Sequence, residues 1–265
     1  MRLRCLLAYD GTAFAGWQRQ PRGRSVQAEV EAAIERVTGF QARVVGAGRT
    51  DAGVHALGQV AHFDTPWLRT VAELRRAVGA VLPDDVALRA MSVAGTGFHA
   101  RHNAVARRYR YVAVVGRDRR PLERYDVAGI RSAVDVATVA EAAGHLLGWH
   151  DFGAFGHPMY RGGSTVRRLE AVLVRSDGRR LVMEFEADAF LRHQVRRMVG
   201  LLLDIGHGRV PLAAARENLE RSPEAPVPRR AAARGLTLVA VRYPPEDEPW
   251  DHPRCEGETG EDLYT

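Results

Sequence analysis

VVGAGRTDAGVHALGQVAHF, residues 44–63, opens with two β-branched residues, turns through Gly46, Gly48 and Gly53, and leaves through an extended run. Such a pattern predicts a glycine-bent hairpin with Arg49, Thr50 and Asp51 at its bend. Glycine admits positive φ and leaves room for a bulky group to approach. An arginine and a carboxylate two residues apart on that bend suggest a charged group held up to a ligand. Ordinary turn chemistry, with the Asp51 carboxylate capping nearby N–H groups, remains the simpler alternative for this stretch alone. A dinucleotide fingerprint is excluded: the third glycine is missing and an extended segment follows in place of a helix.

Outward from the hairpin, the flanking segments alternate in type. A strand over 3–9 precedes a basic loop holding Phe14 and Trp17. Ser25 then stands as N-cap of a helix with Val26, Val30, Ala33, Ile34 and Val37 on one face. The hairpin strands are expected over 41–46 and 54–63. Thr70 and Glu73 form a capping-box pair before a helix that turns Val71, Leu74, Val78 and Val81 inward. A strand over 86–93 completes β-α-β-β-α-β. The order then repeats: a strand at 107–115, a helix near 135–147, a hairpin of 165–174 and 180–187 turned at Asp177-Gly178, a helix over 191–205, a short helix from Pro211, and a strand at 236–242. Two βαββαβ halves predict an α+β fold: two ferredoxin-like units joined in one extended antiparallel sheet, with helices on one face and a central cleft. The expected division is 1–100, 101–243, and an acidic, disordered tail over 244–265.

Composition narrows the function. The net charge is +6; from residue 244 onward eight acidic residues against Arg254 give −7, which leaves +13 on the rest. A body this basic suits a polyanion. All 38 basic residues are arginine, so Schiff-base chemistry, pyridoxal phosphate attachment and the P-loop lysine are excluded. Arginine's planar fork suits phosphate and base recognition. Cys5 and Cys255 have neither zinc nor redox spacing, which fits a reducing, cytoplasmic setting. No apolar run nears the ~20 residues of a membrane span, and no signal peptide is evident. His55, His62 and Asp64 lack any metal-binding spacing and read as alternating strand residues, so no metal is expected.

Two further segments carry chemistry. Along 107–112, Tyr109 and Tyr111 share one face with Arg107 while Arg108 and Arg110 take the other. The pattern is similar to the base-stacking strand of an RNA-recognition motif, and equally to half-buried tyrosines on an amphipathic strand. In the helix after Leu191, Arg192 and Arg196 lie on a flank of the apolar stripe, either solvated or turned into the cleft.

Together these residues resemble the tRNA pseudouridine synthases that act on positions 38, 39 and 40 of the anticodon stem-loop. The similarity runs through YDGTAFAGWQRQ, SVQAEVEAAI, GAGRTDAGVHALGQVAHF, FHARHNAVARRYRY, HDFGAF, STVRRL, AFLRHQVRRMVG and RGLTLVAV. The resemblance implies an isomerase that needs no cofactor, works as a homodimer and flips its target base out of the RNA. It places the catalytic aspartate at Asp51, the active-site tyrosine at Tyr109, the arginine paired with the aspartate at Arg196, and an arginine that holds the displaced nucleotide at Arg49. Arg101, Arg107 and Arg192 are the expected RNA contacts. The carboxylate would act at C6 of the base, at C1′, or on a sugar proton, while Tyr109 stacks on the uracil. The chain departs from the family at AAARGLTL, where a proline usually precedes Gly-Leu, and over 156–163. Other expectations from the same residues are a non-catalytic RNA-binding protein of RRM-like units, a synthase for another RNA site, and a metal-dependent nuclease. Asp51 argues against the pure binder, because a carboxylate near phosphates repels them.

Overall fold

Local chemistry sets the helices of the first half. Among the residues that the computed structural model describes, 1–116, 121–222 and 224–247, α1 (Val26–Thr38) starts after Ser25 and ends at Gly39. There φ is 68° and the N–H returns to the Glu35 carbonyl. Ser25 occupies the N-cap position, but its side chain makes no capping bond. In α2 (Val71–Val81) the capping box is complete: the Glu73 N–H donates to Thr70 Oγ1, and the Thr70 N–H donates to the Glu73 carboxylate. Leu74 and Val78 are its buried residues.

Four strands alternate with these helices. β1 (Arg2–Tyr9) lies between β3 (His55–Asp64) and β4 (Val86–Val93), antiparallel to both. β2 (Val45–Gly46) pairs with the far end of β3, Val45 opposite His62 and Gly46 opposite Ala61. The second half repeats the scheme with β5 (Ala106–Val115), α3 (Val136–Gly144), β8 (Val166–Ser176), β9 (Arg180–Ala187), α4 (Gln194–Gly206) and β10 (Leu236–Arg242). Short additions are β6 (Ala128–Ile130), β7 (Gly148–Asp151) and α5 (Ala214–Leu219). The sheet runs β4-β1-β3-β10-β5-β9-β8-β7.

The strand expected over 41–46 is reduced to Val45 and Gly46, because the Val44 N–H donates to the Glu31 carboxylate and the Val44 carbonyl accepts from the Gln27 amide of α1 instead of pairing with β3. In a ferredoxin-like half the second strand covers the edge of the third. Here β10 takes the other end of that edge, parallel to β3, with Thr237 opposite His55 and Leu238 opposite Ala56. The close crossing needs Gly58, where a Cβ would stand 2.2 Å from the Val239 carbonyl oxygen. β10 is therefore the seam between the halves.

One face of the sheet holds the core. On β9, Leu181, Met183, Phe185 and Ala187 are buried, while Glu184 and Glu186 turn to the opposite face and meet Arg110 and Arg108 on β5. Arg242 adds bonds to Glu186 and Glu170. The arginines of this face are thus neutralised by cross-strand partners. Two expected boundaries shift. α3 stops at Gly144, and α4 begins at Gln194 because His193 lies in the left-handed region, φ 70°. Residues 244–247 are ordered: Pro245–Asp247 form a 3-10 turn, and the Asp247 carboxylate accepts from Asn103. The rest of the acidic tail lies outside the described residues.

Candidate active site

The loop from β2 to β3 carries Asp51, and the N-terminal block braces it from behind. The Trp17 N–H donates to the Thr50 carbonyl at 3.1 Å, and the Gly53 N–H to the Phe14 carbonyl at 3.3 Å. Tyr9 Oη and Thr50 Oγ1 are 2.9 Å apart, and buried Gln59 donates from Nε2 to the Gly48 carbonyl at 2.8 Å. Gly16, at φ +109°, passes so close that a Cβ would lie 2.6 Å from the Thr50 oxygen. Trp17 in turn covers Gly46. The loop is thereby fixed by backbone bonds before any ligand arrives.

From the second half, α4 and β5 complete the site. Arg196 Nη1 lies 3.4 Å from Asp51 Oδ2, and its Nε donates to the Ala231 carbonyl at 2.9 Å. The Ala231 N–H returns to the Arg196 carbonyl at 2.8 Å, so the guanidinium is held at both ends of its side chain. His193 Nε2 lies 3.6 Å from Asp51 Oδ1. Tyr109 is buried, with Phe190 edge-on to its ring at a centroid distance of 5.2 Å. Burial first, then the neighbouring Tyr9 and Asp51 charges, push the Tyr109 phenol well above its usual pKa, so it stays protonated.

These groups line one cavity of about 690 Å³ between the halves. Among the described residues seven arginines border it (Arg49, Arg101, Arg107, Arg167, Arg192, Arg196 and Arg230), against Asp51 as the single lining carboxylate. Arg49 and Arg192 are exposed, Arg101 is half-buried, and none of the three has an ion-pair partner among the described residues. Burial, and then the charges of Arg49 and Arg107, pull the Arg101 pKa down. The contrast with the paired arginines behind the sheet is informative. Cationic charge is left uncompensated where a polyanion would enter.

Arg107 is placed differently from the RNA contact expected of it. Its guanidinium is buried and donates to the carbonyls of Ala47, Arg101, Ala104 and Asp188. Four acceptors occupy the fork, which makes the residue a strut beneath the loop. The histidines of β3 also serve structure: the Gly11 N–H donates to His55 Nδ1, and the Ala100 N–H to His62 Nδ1. Asp64 pairs with Arg2 at 2.8 Å.

Sequence reading missed His193, Arg167 and Arg230. His193 sits three residues before Arg196, a spacing that marked it, but an unbroken helix from Leu191 gave it no reason to face Asp51. Arg230 arrives from an irregular segment without periodicity. It is set there because residues 229–231 lie on Gly200 of α4, where a Cβ would stand 1.8 Å from the Arg229 oxygen.

Comparison with known proteins identifies the family. A family model described as "tRNA pseudouridine synthase" matches residues 6–103 and 142–244. Relatives named tRNA pseudouridine synthase A include the following three. The chain is 45% identical over 252 residues to that of Frankia casuarinae, covering 94% of this chain and 91% of the relative. It is 39% identical over 246 residues to that of Shewanella denitrificans, covering 93% and 94%. Identity to that of Cupriavidus necator is 42% over 245 residues, covering 90% and 89%. With the matched segments supplying both the Asp51 loop and α4, the chain belongs to the tRNA pseudouridine synthase family.

Proposed function

We propose that the protein is an isomerase that converts uridine to pseudouridine in tRNA, at positions 38, 39 and 40 of the anticodon stem-loop, with Asp51 as the reacting carboxylate. The observation that carries this reading is the pairing of Asp51 with Arg196 across the two halves, inside a cleft bordered by six further arginines. In the reaction the N1–C1′ bond breaks, the uracil turns, and a C5–C1′ bond forms. The proton lost from C5 is balanced by one gained at N1. Nothing is oxidised or reduced, so no cofactor is required.

Each group has a task in that sequence. Exposed Arg49 and Arg192, with Arg101, take phosphates of the RNA. The target base leaves its stack at a cost of a few kcal/mol, offset by those contacts. Tyr109 supports the uracil, its ring set by Phe190. Arg196 orients Asp51 toward the nucleoside. The halves 1–100 and 101–243 act as the two walls of the cleft, and the protein works as a cytoplasmic homodimer in which both subunits grip one tRNA.

Pseudouridine mapping in bulk tRNA incubated with wild-type and Asp51→Ala protein tests the proposal. Product at positions 38–40 is expected with wild type alone, while tRNA affinity stays within about threefold in the variant. Equal loss of product and affinity, or product formed by Asp51→Ala, would overturn the role of Asp51. Modification confined to another site would overturn the substrate assignment.

A further inference from the structure

His193 has a positive φ, 70°, uncommon for a residue that carries a Cβ. It is one of two non-glycine residues with positive φ among those described, the other being Arg221. The left-handed region is costly for a side chain bearing a Cβ, and such residues gather where function over-determines the fold. His193 occupies the N-cap position of α4 but makes no side-chain bond to the helix. Flanking contacts pin it instead: Arg192 exchanges backbone bonds with His157, and the Gln194 N–H donates to the Leu191 carbonyl. What the conformation gains is the direction of the ring, whose Nε2 lies 3.6 Å from Asp51 Oδ1 and 3.5 Å from Arg230 Nη1. The guanidinium can only donate, so Nε2 serves Arg230 in the tautomer without its proton and Asp51 in the tautomer with it.

We propose that His193 is a positioning residue for the reaction: with its proton on Nε2 the ring gives up the contact with Arg230, and Nε2–H holds Asp51 Oδ1 while Arg196 holds Oδ2, fixing the plane of the carboxylate. The inference rests on the reading of Asp51 given above. At 3.6 Å the contact is open, as bonds in a ligand-free site commonly are, and closes when RNA displaces solvent. The ring faces Asp51 from the loop, Arg196 from α4, Arg230 from the segment before β10, and Arg192 next to it in sequence. Burial, then the three arginines, outweigh Asp51 and pull the His193 pKa below its usual value. A neutral ring orients the carboxylate without adding another full positive charge beside it.

Three variants test this. His193→Asn keeps a residue tolerant of the left-handed region but cannot reach Asp51 with a donor, His193→Gly keeps the backbone alone, and His193→Gln restores an N–H near the Nε2 position. Single-turnover and steady-state rates on tRNA are expected to show kcat down about ten- to hundredfold in His193→Asn and His193→Gly, the loss of one hydrogen bond to a charged group. KM should stay within about twofold, and His193→Gln should recover most of the rate. Wild-type kcat in His193→Asn or His193→Gly, a loss in KM alone, or a His193→Gln as slow as the others would overturn it. Asp51→Asn separates the two readings. Activity retained there removes the role given to Asp51, whereas activity lost there with wild-type kcat in His193→Asn removes only that of His193.

Discussion

Arg107 Nη2 donates to the carbonyl of Ala47 at 3.1 Å, so a residue of the second half holds the loop that carries Asp51 in the first. The same guanidinium satisfies three further carbonyls. Arg107→Ala would leave buried acceptors unpaired and is expected to destabilise the fold by about 3–5 kcal/mol. Arg107→Lys should not rescue it, since an ammonium cannot span four acceptors held around a planar fork. Urea midpoints measure both. An unchanged midpoint with weakened tRNA affinity would restore Arg107 as an RNA contact.

Gly58 has no unusual backbone angle, yet it is predicted to tolerate nothing larger. A methyl group there meets the Val239 carbonyl at 2.2 Å and the Ala240 Cα at 3.1 Å. Gly58→Ala should lower stability by about 1–3 kcal/mol through overpacking. Activity should fall further than stability alone explains, because the displaced strand leads directly from the 233–236 turn at the cleft. Calorimetry and turnover on the same preparation distinguish the two effects.

Salt dependence separates the two populations of arginine. Arg49→Ala, Arg192→Ala and Arg230→Ala are each expected to flatten the slope of log affinity against log salt by about 0.7–0.9 if the residue meets one phosphate. Arg108→Ala, whose partner is Glu186 on the opposite face, should leave the slope unchanged. Equal effects on both faces would place the RNA elsewhere.

Acid should destabilise the fold through His62. Burial, then the charges of His99 and Arg2, hold its pKa down to about 4, with Asp64 opposing. Between that value and the ordinary 6.5 the unfolded chain binds the proton and the folded chain does not. Stability is therefore complete above about pH 6.5 and lost progressively toward pH 4. His62→Gln should flatten this part of the curve in urea titrations at pH 7 and pH 5. Identical curves for both proteins would remove His62 from the account.

Much of this architecture is legible because its signals are local. The Thr70–Glu73 capping box, the alternation on β5 and the glycine bend after Val45 each follow from neighbouring residues, and each appears in the fold. What was not legible depends on meetings between distant segments. β2 is short because the backbone of Val44 bonds to Gln27 and Glu31 of α1, a meeting no local pattern records. Arg107 was correctly assigned to the face of Tyr109 and Tyr111. Its burial depends on where the 47–48 backbone passes, and that is set by the first half. His193 was hidden because a helical stripe runs through it without a break, while the left-handed turn that redirects its ring has no residue signature of its own.

The seam strand has a consequence for how such a protein comes into being. Asp51 and Arg196 both precede β10 in the chain, yet the lobes that carry them are joined edge to edge through it. As the polypeptide emerges, the borders of β3 and β5 remain bare until that late strand slots between them. A molecule that lacks this strand therefore lacks the edge-to-edge join between the half that carries Asp51 and the half that carries Arg196.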